Sequence, residues 1–319
     1  MTDMGDAHKL AEKYGYRDYM VARYLKMLGY EQTREMLEWN DRPLIPVIRV
    51  NTLKIPVKQL QRRLEKKGFQ LRPINIIPYG IKVLNEPHNL GSLHEFLQGY
   101  FYIQSAASMI PPIILDPKPK DLVIDTCAAP GSKATQLAQI MGNKGKLILI
   151  EKNSERLRAL DSNLKRLGVQ NVLTFHMDAM ELDRLNIKAD KILLDAPCTG
   201  EGLIRQDPSR KTSRTEEDIE KMANIQKKLL QTAIDELKEG GELVYSTCSI
   251  APEENEFVIN SILKKNRNIK VMKPGEGFGV PGFTKVFGKT LDNSLQYAQR
   301  IFPHIHDSIG FFFCLLKKD

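Results

Sequence analysis

Two cysteines stand where apolar runs give way to loops. Lys191–Leu194 leads into Asp195-Ala196-Pro197-Cys198-Thr199-Gly200, and Glu242–Tyr245 leads into Ser246-Thr247-Cys248-Ser249. Both apolar runs predict strands. Ligands of an open α/β sheet bind just beyond the carboxyl ends of its strands, so thiols at two such ends are placed to face one pocket. A thiol there is a nucleophile once its proton is gone, and some local lowering of its pKa is expected for attack at neutral pH. The alternative reading of a strand-end cysteine is an inert small hydrophobe. That reading is given to Cys127 and to Cys314, which lies inside the apolar run Gly310–Leu316.

A third predicted strand, Leu122–Asp125, runs into Thr126-Cys127-Ala128-Ala129-Pro130-Gly131-Ser132-Lys133. Small residues let backbone approach a ligand, and Ser132 is suited to cap the helix that follows. The loop lacks GxGxxG, and no GxxxxGK[ST] occurs, which argues against a dinucleotide or ATP phosphate site. Acidic residues nevertheless end or follow three successive strands: Asp125, Glu151 and Asp178. A strand-end carboxylate suits a ribose diol, and Asp178 is placed to receive an adenine amino group. Three carboxylates without a phosphate loop fit S-adenosylmethionine better than NAD. Taken singly, each is equally a helix cap or a surface group.

The elements that must position these residues follow from periodicity. Residues 7–39 read as helical, with Tyr19, Met20, Tyr24, Met27 and Leu28 on one face, until Asn40–Pro46 breaks the pattern. Strand 47–52, helix 57–67 and strands 71–76, 81–83 and 99–103 then make a small α+β unit. A helix from Ser105 leads to the linker Asp116-Pro117-Lys118-Pro119-Lys120. Beyond it, strands 122–125, 146–150, 172–176, 191–194 and 242–245 alternate with helices 132–141, 154–167, 215–239 (stopped by Gly240-Gly241) and 252–265. That alternation predicts a doubly wound, Rossmann-like parallel sheet. The expected division is a helical and α+β domain over 1–110 and a catalytic domain over 111–319.

Composition bounds the function. The chain has 319 residues, four widely spaced cysteines and no CxxC pair, which argues against a zinc site or a disulfide scaffold. No apolar run approaches the ~20 residues of a membrane span, and residues 1–16 lack the apolar core of a secretion signal, so a cytoplasmic location is expected. The net charge of +8 suggests a polyanionic partner. Candidate phosphate contacts for such a partner are Arg205, Arg210, Lys211 and Arg214 after the Cys198 loop. The N-terminal unit adds Arg49, Lys54, Lys58, Arg62, Arg63, Lys66, Lys67 and Arg72, with a solvated face as the bland reading of those on helix 57–67. Tyr100, Phe101 and Tyr102 either stack bases or fill the core. His304 is read as a structural hydrogen-bonding residue.

The runs Asp125–Lys133, Asp195–Gly200 and Ser246–Ser249 resemble the hallmark motifs of the Nop/Sun family of RNA cytosine-5 methyltransferases. Arg49–Lys54, Gln104–Ser108, Arg300–His304 and Gly310–Phe312 are similar to its flanking patterns, so the likeness covers about residues 14–316. Ala134 departs from it, standing where the family commonly has threonine. The resemblance implies S-adenosylmethionine as cofactor, held by Cys127–Lys133, Glu151, Arg156, Asp178 and Asp195. It implies Cys248 as the nucleophile and Cys198 as the residue that assists product release. DNA cytosine-5 methylases use a Pro-Cys nucleophile, which keeps Cys198 as the rival. Asp195 is expected to act at the N3 edge of the base, and Lys133 either orients Asp195 or is an exposed lysine. The expected substrate is RNA, with tRNA ahead of rRNA, acted on by a monomer with or without an RNA-presenting protein. The alternatives are a small-molecule or protein methyltransferase, and a non-catalytic RNA-binding assembly factor.

Overall fold

A computed structural model describes residues 4–275 and 277–319. Three helices, α1 (Met4–Tyr14), α2 (Asp18–Leu28) and α3 (Tyr30–Asn40), take the place of the single helical run expected at the N-terminus. Gly15 and Gly29, with φ of 73° and 79°, make the two breaks. The buried residues of these helices join one cluster with Ile204, Ile250 and Phe302. They therefore pack on the loops that follow Cys198 and Cys248.

Next comes an antiparallel sheet with helices on it: β1 (Val47–Val50), α4 (Val57–Glu65), β2 (Gln70–Ile74), β3 (Ile77–Asn85), α5 (His94–Leu97) and β4 (Phe101–Ile103). Its strand order is β2-β3-β1-β4. The connecting α6 (Ala106–Leu115) starts at Ser105, whose hydroxyl accepts from the Ser108 N–H at 3.3 Å.

The alternating region forms β5 (Leu122–Asp125), α7 (Ser132–Ile140), β6 (Lys146–Glu151), α8 (Ser154–Leu167), β7 (Val172–His176), β8 (Ala189–Asp195), α9 (Glu216–Asp235), β9 (Leu237–Thr247) and α10 (Glu256–Lys265). After it come β10 (Ile269–Met272), β11 (Val280–Pro281), the hairpin β12 (Lys285–Val286) and β13 (Lys289–Thr290), β14 (Gln299–Ile301), α11 (Pro303–His306) and β15 (Phe311–Lys318). The large sheet runs β11-β14-β15-β9-β8-β5-β6-β7, with β10 also paired to β15. Its β9-β8-β5-β6-β7 portion is parallel, and β15 lies antiparallel against β9. Successive residues enter opposite cores: Ile124, Ile148, Ile192 and Leu194 on one face, Val123, Leu147, Leu193 and Val244 on the other. Burial on both faces explains why these strands read as continuous apolar runs. From β5 the chain winds outward through β6 and β7, then returns to build β8 and β9 on the other side. The order reverses between β5 and β8, and a crevice opens at that point.

Two expected elements are corrected. The helix expected over 215–239 ends at Asp235, and Gly240-Gly241 lies inside β9. The glycines flank an irregularity in the β8–β9 ladder, between Ala189 and Lys191, and Gly240 has φ of 75°. They serve a kinked strand entry where a helix stop was expected. The last helix begins at Glu256 and not at Pro252, because Glu254 and Asn255 turn inward.

Candidate active site

The crevice between β5 and β8 holds a cleft of about 270 Å³, lined by Thr126, Cys127, Glu151, Asp178, Asp195, Cys198 and Cys248 among others. A larger open groove of about 940 Å³ lies between α2, the start of α9 and the β12–β13 hairpin; it is lined by side chains of both charges and by neither thiol.

At the acidic end, Glu151 closes β6, is buried, and accepts from the Asn153 N–H at 2.9 Å. Asp178 caps the turn after β7 by accepting from the Met180 N–H at 3.0 Å. Asp125 is buried, and its Oδ2 has no partner within the protein. Burial, with the Asp195 charge beside it, pushes the Asp125 carboxyl up to about 7. Arg156 lies 3.8 Å from Glu151 and donates to the Ala129 carbonyl. Cys127 lines the cleft, and burial pushes its thiol up, so it is an inert wall and no nucleophile. Ala128–Ser132 wraps behind the cleft: the Ala128 N–H donates to Ile150 O at 3.0 Å, and Asn163 donates to Pro130 O at 2.9 Å. Gly131 has φ of 102°, and a Cβ there would sit 2.9 Å from Leu160, so glycine is required to turn the loop into α7. The donor set suits an adenosine-bearing cofactor: acceptors for hydroxyl and amino groups, an acceptor left open at Asp125, and no phosphate cradle. No cluster of ligating side chains able to hold a metal ion occurs among the described residues.

The other end carries the thiols. Parallel register pairs Asp195 with Ser246 across β8 and β9, so both loops leave the sheet side by side. Ser246 Oγ donates to Asp195 Oδ1 at 2.7 Å, and Lys133 Nζ donates to Asp195 Oδ2 at 2.6 Å. Lys133 is buried; the exposed-lysine alternative is excluded. Cys198 Sγ and Cys248 Sγ stand 3.1 Å apart, both free thiols and both partly exposed. The hydrogen bond to Cys248, followed by burial, holds the Cys198 thiol well above its ordinary value. Gly202 makes this packing possible, since a Cβ on it would overlap the Gly310 carbonyl and crowd the Cys248 carbonyl.

Sequence reasoning missed Glu254. It is wholly buried, and its carboxylate accepts from Thr199 N–H at 2.9 Å, Ser249 Oγ at 2.6 Å, Gln226 Nε2 at 2.9 Å and the Thr199 hydroxyl. Arg23, from α2, bridges the same loops further out, to Glu201 at 3.3 Å and Glu253 at 2.6 Å. In the sequence, Glu253-Glu254-Asn255-Glu256 looks like the acidic first turn of a helix. The signal available was three carboxylates so close behind a candidate nucleophile.

Several expected RNA contacts are engaged with partners within the protein. Arg205 donates to the Arg42 and Pro43 carbonyls and pairs with Asp307 at 2.9 Å. Lys211 donates to Tyr14 O and pairs with Asp41. Arg49 is fully buried against Gln104, Thr135 and the Ser132 carbonyl. Lys54 donates to the Gln98 and Arg166 carbonyls, and Lys67 pairs with Glu95 at 2.6 Å. Only Arg210 and Arg214 of the post-Cys198 set line the cleft, both donating to the Thr199 carbonyl. Phe101 and Cys314 are buried in the core. His304 hydrogen-bonds to Gln32 at 3.0 Å, as expected of a structural residue.

A doubly wound sheet with a cleft at its switch point, acidic strand ends and no phosphate loop defines the Rossmann-like methyltransferase class. Residues 112–317 match the family described as 16S rRNA methyltransferase RsmB/F, and residues 16–90 match the RsmF/B-like ferredoxin-like domain. The chain belongs to this RsmB/F (Nop/Sun) family. The "28S rRNA (cytosine-C(5))-methyltransferase" of Mus musculus is 37% identical over 97% of this chain and 40% of its own length. The "tRNA (cytosine(72)-C(5))-methyltransferase" of Pyrococcus horikoshii is 42% identical over 72% of this chain and 55% of its own length. A crystal structure of a methyltransferase homolog from Pyrococcus horikoshii superposes with a TM-score of 0.90 at 41% identity, covering 98% of this chain and 99% of that one. The chain spans about half or less of the full length of the first curated relatives it matches, between 38% and 51%. No helix among the described residues is long and apolar enough to cross a membrane.

Proposed function

We propose that this protein methylates carbon 5 of cytosine in RNA, with S-adenosylmethionine as donor and a covalent adduct between Cys248 and carbon 6 of the base. The observation that carries this reading is the pair of thiols, 3.1 Å apart, beside the Lys133–Asp195 ion pair in one cleft. An exocyclic amine needs only positioning to accept a methyl group. Carbon 5 of cytosine becomes nucleophilic only after a thiolate adds to carbon 6, which is why a cysteine is required.

S-adenosylmethionine bound at the acidic end supplies an electrophilic methyl group. Glu151 would hold its ribose diol and Asp178 its adenine amino group, with Asp125, Cys127–Lys133 and Arg156 as the remaining contacts. The target cytidine leaves its stack to reach the cleft. As the Cys248 thiolate bonds to carbon 6, charge gathers toward N3 of the ring, and a proton passed through Asp195, which Lys133 and Ser246 hold in place, neutralises that edge. After transfer, a base removes the carbon 5 proton and the electron pair reforms the ring double bond. The carbon 6–sulfur bond breaks with its electrons going to Cys248. Cys198 Sγ, 3.1 Å from Cys248 Sγ, is close enough to return a proton to the departing thiolate. Arg210 and Arg214, which line the cleft, are the candidate contacts for phosphates flanking the target.

tRNA is the proposed substrate, supported by the relative named as a tRNA methyltransferase. rRNA is the second reading, favoured by relatives named for rRNA that match 97% of the chain. The test incubates wild type, Cys248→Ala and Cys198→Ala with methyl-labelled S-adenosylmethionine and unmodified tRNA or rRNA. Label in 5-methylcytidine, lost in Cys248→Ala, with a denaturant-stable RNA adduct accumulating in Cys198→Ala, is the expected result. The reverse pattern exchanges the two thiols. Cofactor binding without methyl transfer to either RNA overturns the reading.

A further inference from the structure

We propose that Glu254 is the positioning residue that sets the distance between the two thiols. Thr199 follows Cys198 and Ser249 follows Cys248, and both are tied to this one carboxylate. Oε1 takes the two hydroxyls, while Oε2 takes the Thr199 N–H and Gln226 Nε2. Gln226 also donates to the Pro197 carbonyl at 2.8 Å, so Cys198 is held on both sides. On the other loop, Asn255 Nδ2 donates to the Ser249 carbonyl at 2.9 Å, and the Thr247 hydroxyl donates to Asn255 Oδ1 at 2.6 Å. The Thr199 N–H and the Gln226 amide need an acceptor, which one carboxylate oxygen supplies, while the other takes the two hydroxyls. No cation lies within ion-pair distance of Glu254 among the described residues, so neutral donors from the thiol loops and α9 are what stabilise it there. A buried carboxylate kept without a cation is costly, and here its partners are the residues next to the reacting atoms. The outer bridge through Arg23 grips Glu201 and Glu253, whereas Glu254 is the carboxylate that binds both Thr199 and Ser249 directly.

The inference rests on the two-thiol reading of the cleft, and its test has a readout independent of methylation. Purified protein without RNA is treated with the thiol oxidant diamide. Formation of a Cys198–Cys248 disulfide is followed by peptide mapping, with circular dichroism and thermal melting confirming the fold. Wild type closes the bond readily, and Glu254→Ala closes it at least tenfold more slowly. Glu254→Gln stays within threefold of wild type, because its amide oxygen can face the Thr199 N–H and Gln226 while the two hydroxyls turn to accept from its NH₂. In the methylation assay, Glu254→Ala loses kcat with KM for RNA unchanged and accumulates adduct, and Glu254→Gln restores turnover. Disulfide formation at the wild-type rate in Glu254→Ala overturns the proposal. If Glu254→Ala does not fold, Ser249→Ala and Thr199→Val each remove one hydroxyl tether; slowing of two- to threefold supports the proposal, and no slowing overturns it. Slowed disulfide formation in a protein that methylates no RNA leaves the positioning role standing and refutes the proposed reaction.

Discussion

Two buried cations flank the start of α7 and do different work. Lys133, on α7, reaches Asp195 at 2.6 Å in the cleft. Arg49, from β1 of the N-terminal sheet, reaches the Ser132 carbonyl, Thr135 Oγ1 at 2.6 Å and Gln104 Oε1 at 2.9 Å, with no carboxylate. Burial pulls the Arg49 guanidinium down to about 10, so it remains charged at neutral pH. Its neighbours along the chain behave alike. Asn51 donates to Gly99 O and to Leu167 O, each at 2.8 Å, and Lys54 Nζ donates to Arg166 O at 2.7 Å. Arg166 and Leu167 end α8, where backbone carbonyls lack helical partners and a cation is favoured. The N-terminal motif is thus a latch, closing one helix of the cofactor-binding body and bracing the start of another. The cleft motifs instead aim side chains at space where a ligand can enter.

The sharpest way to break this comparison is to remove each cation. Lys133→Met is expected to lower kcat/KM on the order of 10²–10³-fold, since Asp195 loses its fixed orientation where charge develops. Its melting temperature changes little, because Asp195 is partly exposed and water can take the place of Nζ. Arg49→Met is expected to do the reverse: a stability loss of about 3 kcal/mol, with kcat retained in the folded fraction. Denaturant melts and single-turnover methylation on both variants decide it. Equal losses of activity and stability in the two proteins would show that latch and cleft are one unit.

This contrast also marks what the sequence made legible. β5, β7 and α8 fall on the residues expected from periodicity, because an apolar strand buried on both faces, an edge strand rich in β-branched and aromatic residues and a capped amphipathic helix are local signals. The thiols, Asp195 and the acidic strand ends were legible for the same reason: position at a strand end fixes which way a residue faces. Arg49, Arg205 and Lys211 were misread because a cation bonded to backbone carbonyls of a distant element has no local signature. Glu254 was missed because its burial depends on two loops meeting. Glu201 stands in a like place: burial pushes its carboxyl up to about 7 although Arg23 is beside it.

Within the cleft, Asp125 gives a test that depends on pH. Its carboxyl is raised to about 7, first by burial and then by Asp195. Between pH ~4, where an unfolded aspartate ionises, and pH ~7, the folded protein holds a proton that the unfolded chain has released. Stability contributed by Asp125 is therefore present below that window and lost as pH rises through it, by up to about 1.4 kcal/mol per pH unit. Asp125→Asn removes this slope. The difference between wild-type and variant unfolding free energies, measured from pH 4 to 8, cancels the parallel contribution of Glu201. Parallel curves would mean that the Asp125 carboxyl ionises as easily folded as unfolded.

The smallest expected effect concerns the cations that the latch does not use. Lys58, Arg62 and Lys66 are exposed on or at the end of α4, four residues apart, and so share one face. Like charges at that spacing repel and weaken a helix by a few tenths of a kcal/mol. A face kept against its own repulsion fits contact with phosphates, which is the part the latch residues were expected to play. Replacing all three by Gln is expected to leave the fold as stable or slightly more so, while lowering RNA affinity several-fold at physiological salt. The slope of log affinity against log salt should flatten by about 0.7–0.9 for each phosphate no longer neutralised. Filter binding across a salt series reads that slope directly. An unchanged slope would move the RNA path off α4 and leave Arg210 and Arg214, in the lining of the cleft, as its candidate anchors.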